Sequence, residues 1–179
     1  CANCGGGSYK GKKLGTWGNI GCFSFEEKKN MTTGDGGMIC SDDVELIERL
    51  RPFRWVGIDK DTWKRASKYN MNDLMAAIGL AQLQKIDWMN AKRAELISRY
   101  LTAIEPLSHV RPIYPYSLQD SAYWVFGLRA ESRDSLMVHL KKQGIATGVH
   151  FLPLPHHPLF RDYDAHIPVA DRIWQEFIT

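Results

Sequence analysis

No apolar run in this chain approaches the length of a membrane span, and no signal-peptide pattern opens it. The expectation is a cytoplasmic protein with no membrane partner. Charge of one sign is also lacking. The formal net charge is +3, with lysines and arginines interspersed among acids. That pattern is a solvated surface and gives no reason to expect nucleic acid. Repeats and low-complexity tracts are absent. So are the GxSxG, HExxH, GxGxxG and P-loop signatures, which removes the simplest readings as hydrolase, zinc protease or nucleotide binder. Cysteine is scarce: Cys1, Cys4, Cys22 and Cys40. Cys1 and Cys4 form a CxxC that could be half a zinc site or a redox pair, but no second close pair completes it. Cys22 and Cys40 sit in apolar stretches, so buried, inert thiols are expected. His150, His156, His157 and His166 are separated by prolines and have no acid at ligand spacing, so no metal site is expected.

The 179 residues are 44% hydrophobic and 24% charged, values of an ordinary globular protein. The ends are unusual. The chain opens on Cys-Ala-Asn-Cys without an initiator methionine and stops inside an amphipathic stretch without a cap. A fragment of a longer protein, roughly twice this length, is the expectation.

Along the chain, Tyr9-Lys10-Gly11-Lys12-Lys13 reads as a hairpin turn. Ile20 to Phe25 and Gly37 to Cys40 read as two short buried strands. Ser41-Asp42-Asp43 caps a helix that Pro52 should end. A long helix is predicted from about Asp73 to about Ile104. Its first half is apolar and small (Ala76, Ala77, Gly79, Ala81), and its second half is amphipathic. Pro106 marks a domain boundary, giving domains 1–105 and 106–179. In the second, Val110-Arg111-Pro112 is an edge strand, Tyr123 to Arg129 a stronger one, and Ile145 to Phe151 a third. A helix from Ser132 or Asp134 to Gln143, closed by Gly144, lies between the last two. The order is that of a small α/β domain.

The most informative stretch is Gly21 to Gly37. A short strand leads into a turn carrying Lys28 and Lys29, then a glycine-rich loop. A lysine held at a strand end, beside a hydroxyl and exposed backbone amides, suits a carbonyl cofactor bearing a phosphate. An ordinary hairpin with solvated lysines has the same spacing.

Phe23-Ser24-Phe25, followed after three residues by Lys29-Asn30-Met31-Thr32-Thr33-Gly34-Asp35-Gly36-Gly37, resembles the lysine motif of the DegT/DnrJ/StrS sugar aminotransferases. The likeness continues through Gly7 to Gly18, Lys68 to Leu83, and Gly144 to Phe151. It implies an α/β fold-type-I transferase dependent on pyridoxal 5'-phosphate (PLP): part of a large domain with a mixed sheet, plus a small C-terminal domain. On this resemblance Lys29 is the Schiff-base lysine and Ser24 holds the cofactor phosphate. Asn70, or alternatively Lys68, reaches the phosphate of a neighbouring subunit. Asn3 approaches the cofactor ring, and His150 lines the substrate side. The family's pyridine-binding aspartate would precede Cys1. The implied reaction transfers an amino group, with glutamate as donor, to a nucleotide-linked keto-sugar in amino-sugar and polysaccharide biosynthesis. The implied assembly is a homodimer with shared sites. Two alternatives use the same scaffold: a sugar dehydratase, in which histidine replaces the lysine, and a regulatory relative that does not turn over. The alternative from another class is a cysteine-based zinc or redox module.

Overall fold

The computed structural model describes residues 1–59, 62–63, 65–113, 116, 120–160, 162 and 165–179. The chain divides into two compact units, Cys1–Glu95 with Ser117–Trp124, and Leu96–Tyr116 with Val125–Thr179.

In the first unit, β1 (Ser8–Tyr9) and β2 (Lys12–Lys13) form the expected hairpin. Its two turn residues, Lys10 and Gly11, both have positive φ, as a two-residue turn matched to strand twist requires. β3 (Gly21–Ser24) pairs antiparallel with β4 (Gly37–Cys40), with Gly21 opposite Cys40 and Ser24 opposite Gly37. Cys22 points outward and is exposed, as is Cys1, while Cys4 and Cys40 are half-buried. The expected set of buried thiols is therefore not found. Side chains alternate along a strand, and the buried position of β3 falls to Gly21 rather than Cys22.

Helix α1 (Val44–Arg54) begins as expected: the Asp43 carboxylate accepts from Leu46 N at 3.0 Å. It does not end at Pro52. A proline in the last turn forfeits one hydrogen bond, and the helix runs two residues further. It stops where Val56 and Gly57 turn left-handed and Gly57 N donates to Pro52 O. A short hairpin of β5 (Ile58–Asp59) and β6 (Thr62–Trp63) follows.

The single long helix predicted from Asp73 is two. α2 (Asp73–Leu83) is capped by the Asn72 side chain, which accepts from Met75 N at 2.9 Å. At Gln84 and Lys85 the bonding tightens, with Lys85 N donating to Gln82 O three residues back. α3 (Ile86–Ile104) then starts, its residues to Glu95 in the first unit and the rest in the second. α2 has no buried residue.

The second unit is built on a three-stranded antiparallel sheet. β7 (Val110–Pro112), the expected edge strand, pairs with β8 (Leu128–Ala130), and β8 pairs with β9 (Phe177–Ile178). Val110, Ala130 and Ile178 form its core, covered by Leu136, Met137 and Leu140 of α4 (Arg133–Lys142). α4 is closed by Gly144, whose φ is +77°. α5 (Pro168–Glu176) leads into β9. From the central strand β8, Arg129 meets Glu176 through Nε at 2.7 Å and a terminal nitrogen at 2.5 Å.

Two predicted strands differ. Of Tyr123–Arg129 only the last two residues are strand, because side chains take the ladder groups: Tyr123 O accepts from Asn30, and Gly127 N donates to the Tyr116 hydroxyl. Ile145–Phe151 forms no strand. Ile145 N turns back to Leu140 O at 2.9 Å, and Gly148 and Thr179 exchange two bonds of 2.8 and 2.9 Å.

Candidate functional site

The lysine turn is built from its own backbone outward. The β3–β4 ladder extends one step, with Phe25 N donating to Gly36 O at 2.8 Å. Phe25 O then accepts from Thr33 N at 2.9 Å and from the Thr32 hydroxyl at 3.2 Å, which closes residues 26–32 into a loop. Within it Lys29 N donates to Glu26 O, and Lys28 N to the Glu26 carboxylate, both at 3.1 Å. Gly34 and Gly36, at φ +84° and +125°, carry the return through a backbone region that L side chains rarely enter. The Thr33 hydroxyl donates to Asp35 O and steadies that return.

Lys29 leaves this loop with its Nζ 2.7 Å from Asn3 Oδ1 and 4.7 Å from the centre of the Trp124 ring. Lys28 does neither: it is exposed and lies 3.7 Å from the carboxylate of Glu27. The residue after the lysine is almost wholly buried. Asn30, at 3% exposure, donates from Nδ2 to Asn90 Oδ1 at 3.2 Å and to Tyr123 O at 3.3 Å. Asn90, on α3, in turn donates to Gly5 O at 3.0 Å. One carboxamide therefore fastens both the lysine loop and the segment that carries Asn3. Tyr123 and Trp124 close the arrangement, and Trp124 Nε1 donates to Lys28 O at 2.7 Å.

Ser24 ends β3. Its Oγ accepts a long, 3.4 Å bond from Glu26 N, and the residue lines a cavity of about 390 Å³ with Cys1, Ala2, Asn30 and Met31. Neither Lys29 nor Asn3 lines that cavity. Asn30 Oδ1 is buried without a partner among the described residues. Asn70 lies elsewhere in the same unit. It lines a larger cavity, about 740 Å³, with Arg51, Arg54 and Lys68, and its Oδ1 is likewise buried and unpartnered among the described residues. His150 belongs to the second unit, where its Nδ1 is 2.8 Å from the Thr179 hydroxyl.

The structure thus brings Lys29 and Asn3 into contact, with Ser24 five residues away on the strand that feeds the same loop. Asn70 lines the other cavity of that unit, and His150 belongs to the second unit. Sequence reasoning missed Asn30, Asn90, Tyr123 and Trp124. Asn30 stands inside the quoted motif, but nothing in its spacing points to Asn90 or Tyr123. Trp124 lay in an apolar run read as strand, where its indole N–H had no visible acceptor. Burial raises the Cys4 thiol above its ordinary value, which makes it a poor thiolate. No group of three or more His, Cys, Asp or Glu that could hold a metal is present among the described residues.

The model of the DegT/DnrJ/EryC1/StrS aminotransferase family matches residues 1–179. The chain belongs to this family. Protein MJ1066 of Methanocaldococcus jannaschii is 36% identical over 182 aligned residues, covering 87% of this chain and 46% of that protein. DesV of S. venezuelae, solved in complex with a ketimine intermediate, is 28% identical with a TM-score of 0.91, over 99% of this chain and 50% of its own. Spr1654 of Streptococcus pneumoniae, solved in its PLP-form, is 26% identical with a TM-score of 0.84, over the same shares. The chain spans about half the length of the relatives it matches. The fold is that of fold-type-I PLP-dependent transferases. No helix among the described residues is long and apolar enough to cross a membrane.

Proposed function

We propose that this chain is the lysine-bearing part of a PLP-dependent aminotransferase. It moves an amino group from glutamate to a nucleotide-linked keto-sugar, in a cytoplasmic homodimer with shared sites, on a path to amino sugars. Residues 1–105 form the part that holds the cofactor, and residues 106–179 form a small domain. The observation that carries this reading is the pose of Lys29: one amine, on a closed loop after a strand, held by a carboxamide and an aromatic face.

The residues present fit such a cofactor. Lys29 supplies an amine at a defined place, and Ser24 a hydroxyl whose described bond is a long one accepted from Glu26 N. Asn3 supplies a short polar side chain beside the amine. When bound, PLP supplies a carbonyl that captures amines and a ring that draws off electrons. The protein's own part is positioning and proton handling. Lys29 Nζ would hold the cofactor and then carry protons, since a released amine at a fixed point is a base within reach of one carbon and not of others. Asn3 Oδ1 accepts from Nζ and limits the rotamers open to the side chain. Ser24 Oγ would donate to the phosphate, and Asn70 or Lys68 would serve a site on a second copy. His150 would face substrate from the small domain.

The test is to saturate the full chain with PLP, reduce with borohydride and map the peptides. An adduct concentrated on Lys29 is expected, and one scattered over surface lysines would refute the reading. If Lys29 takes the adduct but a parallel, unreduced sample with PLP transfers no amine from glutamate to keto-sugar nucleotides, the cofactor reading stands and the transferase is refuted.

A further inference from the structure

Two lysines stand side by side on the loop, and only one can serve. We propose that Trp124 is the positioning residue that selects Lys29 over Lys28, an inference that rests on the cofactor reading above. Its indole N–H donates to Lys28 O at 2.7 Å, and its ring face lies 4.7 Å from Lys29 Nζ. The first contact fixes the peptide plane between the two lysines and so the direction in which Lys29 leaves the backbone. The second holds the end of that side chain. On the far side, Asn30 donates to Tyr123 O at 3.3 Å. Residues 123–124 therefore grip the loop just before and just after Lys29. Lys28 is turned outward, with 73% of its side chain exposed and Glu27 as its partner. A hydrogen bond to a carbonyl and a cation over an indole are both directional, so their sum specifies a pose and not merely a packed volume.

The experiment compares wild type, Trp124→Phe and Trp124→Leu in the full chain. Phenylalanine keeps a ring face and loses the N–H, and leucine loses both. After PLP and borohydride, the ratio of adduct on Lys29 to adduct on Lys28 should fall about tenfold in Trp124→Leu, with Trp124→Phe between. A second readout needs no cofactor. Under limiting formaldehyde and borohydride, Lys29 of wild type should be methylated several-fold more slowly than Lys28, about what two such contacts withhold. In Trp124→Leu the two rates should converge. Circular dichroism reports whether each variant is folded. If Trp124→Leu does not fold, Trp124→Phe decides by the same ratios. Unchanged methylation ratios in a folded variant would overturn the selection by Trp124, whatever the cofactor does. A wild type with no adduct on either lysine but converging methylation rates in the leucine variant would keep the selection and overturn the cofactor reading instead.

Discussion

Replacing Asn30 by aspartate tests the support under the lysine loop more severely than replacing Lys29 itself. Asn30 is 3% exposed and uses Nδ2 to serve two acceptors, Asn90 Oδ1 and Tyr123 O. In Asn30→Asp both would face another acceptor. Two hydrogen bonds are lost, at about 1 kcal/mol each. An ionised carboxylate is also buried among oxygens, which costs several kcal/mol more unless it takes up a proton. Asn30→Ala loses the same two bonds without the charge. The expected costs are about 2 kcal/mol for alanine and roughly 5 kcal/mol for aspartate at pH 8. Burial raises the introduced carboxyl in the folded state above its unfolded value. The excess cost therefore starts to grow above the unfolded value, is complete above the folded one, and vanishes below both. Urea unfolding of wild type and both variants, followed by circular dichroism at pH 4 and pH 8, measures each part. If aspartate costs no more than alanine at pH 8, or if its deficit is the same at both pH values, Asn30 is not the buried donor described here.

Further outcomes follow from single contacts. A Cβ on Gly21 would fall 1.8 Å from Gly15 O and 2.8 Å from Cys40 Sγ, so Gly21→Ala should cost roughly 3 kcal/mol or more, and a melting point within a degree or two of wild type would refute that packing. Glu176→Gln should destabilise the second unit by about 1–2 kcal/mol, because Arg129 meets Glu176 with both partners less than a quarter exposed; a double-mutant cycle with Arg129→Met reads the coupling. Iodoacetamide should label exposed Cys22 well before Cys4, and Cys4 labelling should need higher pH because burial raises its thiol; equal rates, read by peptide mapping, would contradict the burial.

Much of the lysine loop was legible in the residues. Its strands and its glycines rest on short-range spacing, and short-range spacing is what a sequence displays. The caps at Asp43 and Asn72 belong to the same class. What could not be read were partners distant in the chain. Asn30 is tied to Asn90 and Tyr123, 60 and 93 positions away, and Lys28 to Trp124 across 96. The failed strands have a related cause. Tyr123 and Gly127 look like ladder residues until side chains from elsewhere claim their backbone groups. The break at Gln84 and Lys85 had no proline or glycine to announce it. β9 was hidden because Phe177-Ile178 continues the apolar pattern of α5.

α2 carries one more consequence. Leu74, Ile78, Leu80 and Leu83 are each at least half exposed, and the helix buries no side chain. A helix that is apolar on every side gains little from its own turns and much from being covered. A partner that covered it would bind the folded form and not the unfolded one, and the melting temperature would become a function of dose. Two preparations of this chain that differ only in concentration, or in what accompanies them, would then report different stabilities, and both would be correct.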